Sequence, residues 1–464
     1  MPARDRLHSQ TGARPGGNVL SPSLDRSRPV PPPDRRTTLR GWIDLIRYVK
    51  DPMGFLERVA DDSRPLVPFK LGSLQCYMVK DLAYIAEALH SKAWPPLTRG
   101  RMAHIKDWYE GGLAVETGER HACHRDEMWL PVMKDPRLLE IAVSEAVRWT
   151  DGWKDGQPIE AYEEFRKMTY TICWKGITGE DLASRPGLYD TMAVGDHWLG
   201  ALVGPFGRLR WRLATPESIR GHRLRKLLDS TVDALVAERR KEKGGQDLLS
   251  RFVETGDRMG ANGADFRGTI KAWFGAENLH THTAWTCYLL GKNPDAQNRL
   301  HEELDRVLGD RLPTPDDLPA LDYTRRVTKE SLRLYPSVPA FFRGIEGDFR
   351  LGDDIVPSGS LLGFSPWVLH RDPRYWAEPQ RFDPDRWLPD APKSPAYAYL
   401  PFATGDYQCP GTAKSVKEGP LVLAAIARKW RMVEPKGVRT PIAAATWSLQ
   451  AKGGIHLQVS RRTS

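Results

Sequence analysis

The chain has 464 residues, of which 40% are hydrophobic and 27% charged, and 68 Lys and Arg against 59 Asp and Glu give a net charge of +9. This composition is that of an ordinary globular protein, so it excludes a collagen-like, disulfide-scaffold or wholly disordered chain. Beyond about residue 40, basic and acidic residues are interspersed. We therefore expect no nucleic-acid partner, because such proteins concentrate their basic charge in a stripe.

The cysteines indicate a reducing compartment. They are five in number, scattered, and without Cys-x-x-Cys spacing, which argues against a disulfide framework and a structural zinc site. No segment resembles a secretory signal, and none reaches the ~20 apolar residues that a membrane span needs. We expect a soluble, cytoplasmic protein without a membrane anchor.

Residues 1–37 are rich in Pro, Arg, Ser and Gly and predict a disordered basic tail, followed by one large domain over residues 38–464. Helical patterns dominate that domain. We predict helices over residues 218–242, 266–292, 295–308, 322–334 and 413–428. Short strand signals lie at residues 349–351, 355–356 and 455–459, next to Gly and Pro turns. The fold class is mainly α with small β-sheets.

The most informative local pattern is the segment 402–411, FATGDYQCPG, in which Cys409 precedes a predicted helix. Backbone N–H groups and the positive end of that helix would stabilise a thiolate at this position. A buried, inert cysteine is the alternative on local grounds, since free cysteines are mostly buried.

Three patterns in chain order decide between these alternatives. Glu330-Ser-Leu-Arg333 is followed by EPQRF at residues 378–382, and then by Phe402, Gly405, Cys409 and Gly411 at fixed spacing. Together they resemble the cytochrome P-450 superfamily. The resemblance implies the triangular, mostly helical heme-thiolate fold, with heme b as the cofactor and Cys409 as the axial ligand of its iron. It also implies a buried structural triad of Glu330, Arg333 and Arg381, since buried charges require such pairing.

Heme propionates require cationic or hydrogen-bonding partners. His121 and Arg125 match the family's propionate-binding helix, and a spacing of four residues places both on one helical face. By resemblance, Arg343 is a further candidate. Tyr407 stands where the family usually has Arg or His, so it would donate a hydrogen bond without adding charge.

The segment 274–278, FGAEN, matches the family's distal helix, where an acid and a threonine relay protons during dioxygen activation. Glu277 keeps the acid, Asn278 replaces the threonine, and Phe274 replaces a small residue. We predict Glu277 and Asn278 as catalytic residues, with Thr281 and Thr283 as alternative proton donors. The nearby His280 and His282 are predicted to be hydrogen-bonded core residues. The predicted substrate pocket comprises Trp273, Phe274, Ala340 and Phe341.

These residues predict an enzyme that oxidises an organic substrate with dioxygen, in natural-product biosynthesis. Electrons would come from a separate donor, a ferredoxin with its reductase, and Lys414 and Lys417 are candidate contacts for it. The altered distal segment favours oxidative radical coupling of an aromatic or peptide substrate. A hydroxylating monooxygenase, a peroxide-driven peroxygenase and a non-catalytic heme sensor are the alternatives.

Overall fold

The computed structural model describes residues 38–91, 103–203, 206–242 and 245–462. The predicted tail, residues 1–37, lies outside these described residues. Within them the chain is mainly helical with small sheets, as the sequence predicts.

The helices of the described ranges follow in chain order. They are α1 (Thr38–Lys50), α2 (Pro52–Ala60), α3 (Leu82–Leu89), α4 (Ala103–Tyr109), α5 (Gly118–Cys123), α6 (Leu130–Met133), α7 (Arg137–Thr150), α8 (Ala161–Thr178), α9 (Leu188–Val203), α10 (Gly207–Arg212), α11 (Pro216–Lys241), α12 (Leu248–Arg258), α13 (Gly263–Ala276), α14 (Leu279–Lys292), α15 (Pro294–Val307), α16 (Asp322–Leu334), α17 (Pro366–Leu369) and α18 (Thr412–Ala427). A π-helical segment, His124–Trp129, joins α5 to α6. Of the helices described, none is both long and apolar enough to cross a membrane.

The strands are short and form small sheets at the side of the helices. They are β1 (Leu66–Leu71), β2 (Leu74–Val79), β3 (Gln157–Glu160), β4 (Phe341–Gly344), β5 (Phe349–Leu351), β6 (Asp354–Val356), β7 (Leu361–Phe364), β8 (Trp430–Val433), β9 (Ile442–Ala445), β10 (Leu449–Lys452) and β11 (His456–Arg461). One sheet has the order β1-β2-β7-β4 and another the order β3-β11-β8. The first sheet is mixed, since β2 and β7 run parallel while β4 and β7 run antiparallel. It carries Arg343 on β4, which bears on the site described below.

The ends of the helices follow from local chemistry. The Thr215 side chain caps α11, and Pro216 occupies its first turn, where a missing N–H costs nothing. Asn262 and Asp265 form a capping box that begins α13. The predicted helices at 218–242, 295–308 and 413–428 agree with α11, α15 and α18 to within a few residues, and Asp322–Leu334 agrees at both ends.

The prediction of one helix over residues 266–292 is wrong, because the helix breaks between α13 and α14. Glu277 adopts an extended backbone with φ −76° and ψ 107°. Its carboxylate accepts a hydrogen bond from the N–H of Leu279 (3.2 Å), and the Asn278 amide donates to the carbonyl of Ala276 (3.0 Å). Polar side chains that bond to nearby backbone compete with the helical ladder. The two residues that depart from helix geometry are therefore the predicted catalytic pair.

The core of the protein is rich in buried aromatic side chains. Trp174, Trp198, Trp285 and Trp430 are among the largest fully buried side chains, as expected for a tryptophan-rich chain. His282 is buried and lies 3.1 Å from the carbonyl of Thr328, which confirms its predicted role as a hydrogen-bonded core residue. His280 is buried as well, but among the residues that the structure describes neither of its ring nitrogens has a hydrogen-bond partner. Its ring instead meets the edges of Tyr162 and Tyr170, so only its burial was predicted correctly.

Candidate active site

The Cys409 loop is built by local backbone geometry. Gly405 has φ +75°, and a Cβ there would lie 2.1 Å from the carbonyl oxygen of Leu89, so only glycine fits this close approach. The Cys409 N–H donates to the carbonyl of Phe402 (2.9 Å), which closes the loop. Helix α18 begins at Thr412, three residues after the cysteine. Of the predicted loop residues, Phe402 thus bonds to the Cys409 backbone, Gly405 allows the turn, and a Cβ at Gly411 would lie 3.7 Å from the Cys409 sulfur.

The Cys409 side chain is recessed and still accessible. The residue is exposed, yet burial by surrounding protein raises the pKa of its thiol, while the backbone N–H of Gly411 lowers it. Because the residue is exposed, a bound group can reach its thiol. Because burial disfavours the free thiolate, a positively charged partner such as a metal ion would stabilise the ionised form.

Four predicted side chains from three distant segments meet beside this loop. The His121 and Tyr407 rings lie 5.0 Å apart, and the Arg343 guanidinium lies 5.2 Å from the centre of the Tyr407 ring. Arg125 donates to the carbonyl of Asp406 (3.4 Å). The sequence patterns therefore converge on one place, where α5 and its π-helical extension face β4 and the cysteine loop.

This cluster is cationic, and none of its basic side chains forms an ion pair among the described residues, although Asp126 lies close enough to His121 to oppose the lowering of its pKa. Arg343 makes no hydrogen bond or ion pair within them, and burial lowers its pKa to about 10. The buried Nε of Arg125 also has no hydrogen-bond partner there. Burial lowers the pKa of His121, and the neighbouring Arg125 and Arg343 lower it further. Buried cations require counter-charges, so the arrangement fits an anionic group bound between Arg343, Arg125 and His121.

We predict that Arg343→Ala weakens heme binding without unfolding the chain. Losing one charge-assisted hydrogen bond costs roughly 1.5–3 kcal/mol, which corresponds to a roughly tenfold to hundredfold lower affinity. Titration of the apoprotein with hemin measures this directly. Arg350→Ala is the matched control, because Arg350 is an exposed arginine on the nearby strand β5. Equal hemin affinities for the two variants would contradict the assignment.

Glu330 and Arg333 form a buried ion pair, as the resemblance implies. Both are completely buried, and two hydrogen bonds of 2.9 and 2.8 Å join them. Arg333 also donates to the carbonyl groups of His370 and Pro379 at 2.7 Å. The Glu330 carboxylate also accepts hydrogen bonds from the indole N–H of Trp387 (3.0 Å) and the backbone N–H of Asp383 (3.1 Å).

The assignment of Arg381 to this buried triad is wrong. Its side chain is 62% exposed and pairs with Glu378, and only its backbone carbonyl reaches Arg333 (3.0 Å). Arg386 occupies the predicted place instead, with its Nε 3.4 Å from Glu330 and its side chain mostly buried. The segment 384–387, PDRW, has proline, acid, arginine and an aromatic residue in that order, whereas 379–382, PQRF, has glutamine in place of the acid, so the correct signal lay five residues further along.

Comparison with known proteins agrees with this geometry. The sequence profile of the family described as Cytochrome P450 matches residues 31–457. The chain belongs to the cytochrome P450 family. It is 32% identical to the cyclooctat-9-en-7-ol 5-monooxygenase of Streptomyces melanosporofaciens over 335 residues, which are 69% of this chain and 72% of that protein. It is 34% identical to the pentalenene oxygenase of Streptomyces avermitilis over 307 residues, 63% of this chain and 67% of that protein.

The family membership makes this P450 a heme-dependent oxidoreductase of the monooxygenase family. A heme carries carboxylate groups that such a cationic cluster could bind. The relatives named above are oxygenases, and their names give no support to oxidative coupling. The expected enzyme class is thus confirmed, which sets the non-catalytic alternative aside.

Glu277 forms an ion pair with Lys414, which the sequence analysis predicted to lie on the surface. Lys414, predicted as a surface contact, is buried and donates to Glu277 (2.9 Å) and to Glu418 (2.6 Å). It therefore cannot meet a protein partner, whereas Lys417 is exposed. Burial raises the pKa of Glu418 to about 7, with Lys414 opposing and Glu277 adding to the shift, because two carboxylates share one ammonium group. The catalytic role of Glu277 stays a prediction, with Lys414 as its charge partner.

An apolar cavity lies against the α13 side of the helix break. It is small, with about 20 Å³ of space or room for about one water molecule, and it is lined by Trp108, Met192, Gly195, Leu199, Leu228, Lys271, Phe274 and Gly275. Phe274 was predicted here and stacks on Trp174 with ring centres 5.8 Å apart. Sequence reasoning missed the walls contributed by α4, α9 and α11, because only the fold brings those helices over α13.

The other predicted pocket residues lie outside this cavity. Trp273 is buried and stacked on Trp129 (5.7 Å), so it belongs to the core rather than to the cavity wall. Phe341 stacks on Phe364 (5.2 Å) within the sheet, and the half-buried Ala340 precedes it. The hydroxyl of Thr281 donates to the carbonyl of Leu449 (3.3 Å), which leaves it poorly placed as a substitute proton donor.

Proposed function

We propose that this P450 inserts one oxygen atom of dioxygen into a C–H bond of an apolar, carbon-rich substrate of natural-product biosynthesis. The observation that carries the proposal is the match to the cytochrome P450 family over residues 31–457, and the small cavity beside α13, lined by aliphatic and aromatic residues except at Lys271, supports an apolar substrate. Apolar walls bind hydrocarbon surface and give few directional contacts to polar groups. The names of the relatives, a cyclooctat-9-en-7-ol 5-monooxygenase and a pentalenene oxygenase, support a cyclic terpenoid as the substrate class.

Heme b is the proposed cofactor, and the residues fit it. Cys409 would hold the iron as a thiolate, and His121, Arg125, Arg343 and Tyr407 would hold the propionates. The bound heme supplies dioxygen activation, which a thiolate ligand promotes. The chain's own residues bind the substrate against α13 and exclude water from it. Electrons are proposed to come from a separate ferredoxin and its reductase, for which Lys417 is an exposed basic contact.

Lys271 closes one wall of the cavity rather than offering a free cation to the substrate. Its Nζ donates to Asp229 (2.6 Å) and to the carbonyl of Trp108 (2.6 Å), and its side chain is only 1% exposed. These bonds tie α4 and α11 to α13. Because the ammonium is fully engaged, the cavity favours a substrate without an anionic group.

Oxidative coupling is the second candidate, and it rests on the departures at Phe274 and Asn278. The Asn278 amide donates to Ala276, so it caps the broken helix and leaves no hydroxyl at the position of the family's threonine. The relatives favour oxygen insertion, and one experiment separates the two outcomes.

Turnover under isotopically labelled dioxygen tests the proposal. Two probe substrates, a cyclic terpene hydrocarbon and a tyrosine-containing peptide, are supplied in parallel reactions that also contain electron donors. The masses of the products are measured by mass spectrometry. We expect one labelled oxygen atom in an alcohol formed from the terpene. A cross-linked peptide without label, and no terpene product, would establish coupling instead. The same reactions with labelled water and ordinary dioxygen control for exchange with solvent.

A further inference from the structure

Helix α1 carries an exposed apolar stripe that the fold does not use. Its large apolar side chains Leu39, Trp42, Ile43, Ile46 and Val49 are each between 41% and 75% exposed. Single exposed apolar residues are normal, but five on one helix of 13 residues are a contiguous patch. At 100° per residue they fall within an arc of about 120° on the helix surface.

A different face of α1 makes the contacts with the rest of the domain. Leu45 is buried, and the carbonyl of Gly41 accepts a hydrogen bond from the N–H of Gly72 in the β1–β2 turn (2.8 Å). A Cβ at Gly41 would lie 2.1 Å from the carbonyl oxygen of Gly72, so the helix is pressed onto this turn. Tyr48 meets Phe55 of α2 edge to face at 5.7 Å. The exposed stripe is therefore not needed to hold α1 in place.

Cationic side chains border the stripe. Arg40, Arg47 and Lys50 are exposed, and Asp44 is the single acidic residue of the helix, 3.2 Å from Arg47. The preceding residues 1–37 contain seven arginines and three aspartates in the sequence. The same end of the chain thus combines apolar surface with excess positive charge.

We propose that α1 binds to the surface of an anionic lipid bilayer. Apolar side chains of such a helix insert at the boundary of headgroups and acyl chains, while neighbouring Lys and Arg stay with anionic headgroups. A second copy of this chain fits less well, because pairing the two stripes would bring the cations of both helices together. The proposal goes beyond the oxygenation reaction and does not depend on it.

Vesicle flotation of the full-length protein tests the proposal. The two vesicle types are phosphatidylcholine alone and phosphatidylcholine with phosphatidylglycerol. We expect flotation with the anionic vesicles, weakened roughly tenfold by the combined change Leu39→Gln, Ile43→Gln, Ile46→Gln and Val49→Gln. Glutamine preserves helix propensity. The matched control is Ile355→Gln with Ile442→Gln, which removes two equally exposed apolar side chains from strands β6 and β9 and should float like the unchanged protein.

A second variant reverses the charge at Arg40, Arg47 and Lys50 to Glu and leaves the stripe intact. It should abolish the preference for anionic vesicles, and circular dichroism checks that both variants keep their helix content. Failure of the unchanged protein to float would overturn the proposal. So would a dimer in light scattering that the four Gln substitutions dissociate, in the absence of flotation, because the stripe would then be an interface between two copies.

Discussion

Replacing Cys409 by serine should abolish the red-shifted Soret band that a thiolate-ligated heme shows after reduction and binding of carbon monoxide. Serine is nearly isosteric, but its hydroxyl does not ionise in this range and is a poor ligand for heme iron. The loop itself should survive, since the hydrogen bond from the residue 409 N–H to Phe402 involves only backbone atoms. The effect is therefore loss of the band from a folded chain, and with it loss of substrate oxidation.

Cys123→Ser is the matched control for this change. Cys123 is half-buried in α5, near the proposed propionate site but outside the loop, and its thiol donates to the carboxylate of Glu127 (3.5 Å). Its variant should keep the band at full intensity. A red-shifted band that persists in Cys409→Ser, or that disappears in Cys123→Ser alone, would show that the iron ligand is another residue.

Glu330→Gln should be the most destabilising single change in the domain that leaves its shape intact. The carboxylate is completely buried and accepts hydrogen bonds from Arg333, Trp387 and the backbone of Asp383. The amide removes the charge and leaves Arg333 as an uncompensated buried cation, which costs about 3–5 kcal/mol of the free energy of unfolding. Denaturant unfolding followed by circular dichroism measures this loss.

Arg381→Ala and Arg386→Ala test which arginine completes this buried cluster. Arg381 points into solvent, so its removal should leave the free energy of unfolding essentially unchanged. Arg386 lies beside Glu330 and over the Trp376 ring, and its removal should destabilise the chain. A larger loss in Arg381→Ala than in Arg386→Ala would restore the assignment made from the sequence and contradict the geometry.

These two arginines show how a sequence motif can predict a buried charged cluster correctly and still assign the wrong residue to it. Residues 378–382 and 384–387 both contain proline, arginine and an aromatic residue, and locally they differ chiefly in having Gln380 in the first segment and Asp385 in the second. Burial ranks them, because a charge is stabilised inside a protein only where an opposite charge faces it. Glu330 faces Arg386, and that juxtaposition belongs to the packing of α16 against residues 384–387.

The sequence by itself determined the family, the helical class, the cysteine loop and the cationic side chains of the candidate site. Each of these is encoded locally, either in residue spacing along one helix, as for His121 and Arg125, or in the backbone that one loop requires, as for Gly405. Such signals survive without knowledge of distant contacts. For this reason the separate predictions at residues 121, 125, 343 and 407 could converge on one place.

Only the tertiary structure decided what lies opposite each of these groups. Lys414 has the sequence context of an exposed cation, yet it is buried, and it pairs with Glu277 from the break between α13 and α14 and with Glu418 from its own helix α18. The helix over residues 266–292 has a continuous apolar pattern, yet it breaks where Glu277 and Asn278 bond to neighbouring backbone groups. The cavity walls come from α4, α9 and α11, which lie far from α13 in sequence. Ion pairs and cavity walls depend on which residues are close in space, whereas a single sequence shows only which residues are close along the chain.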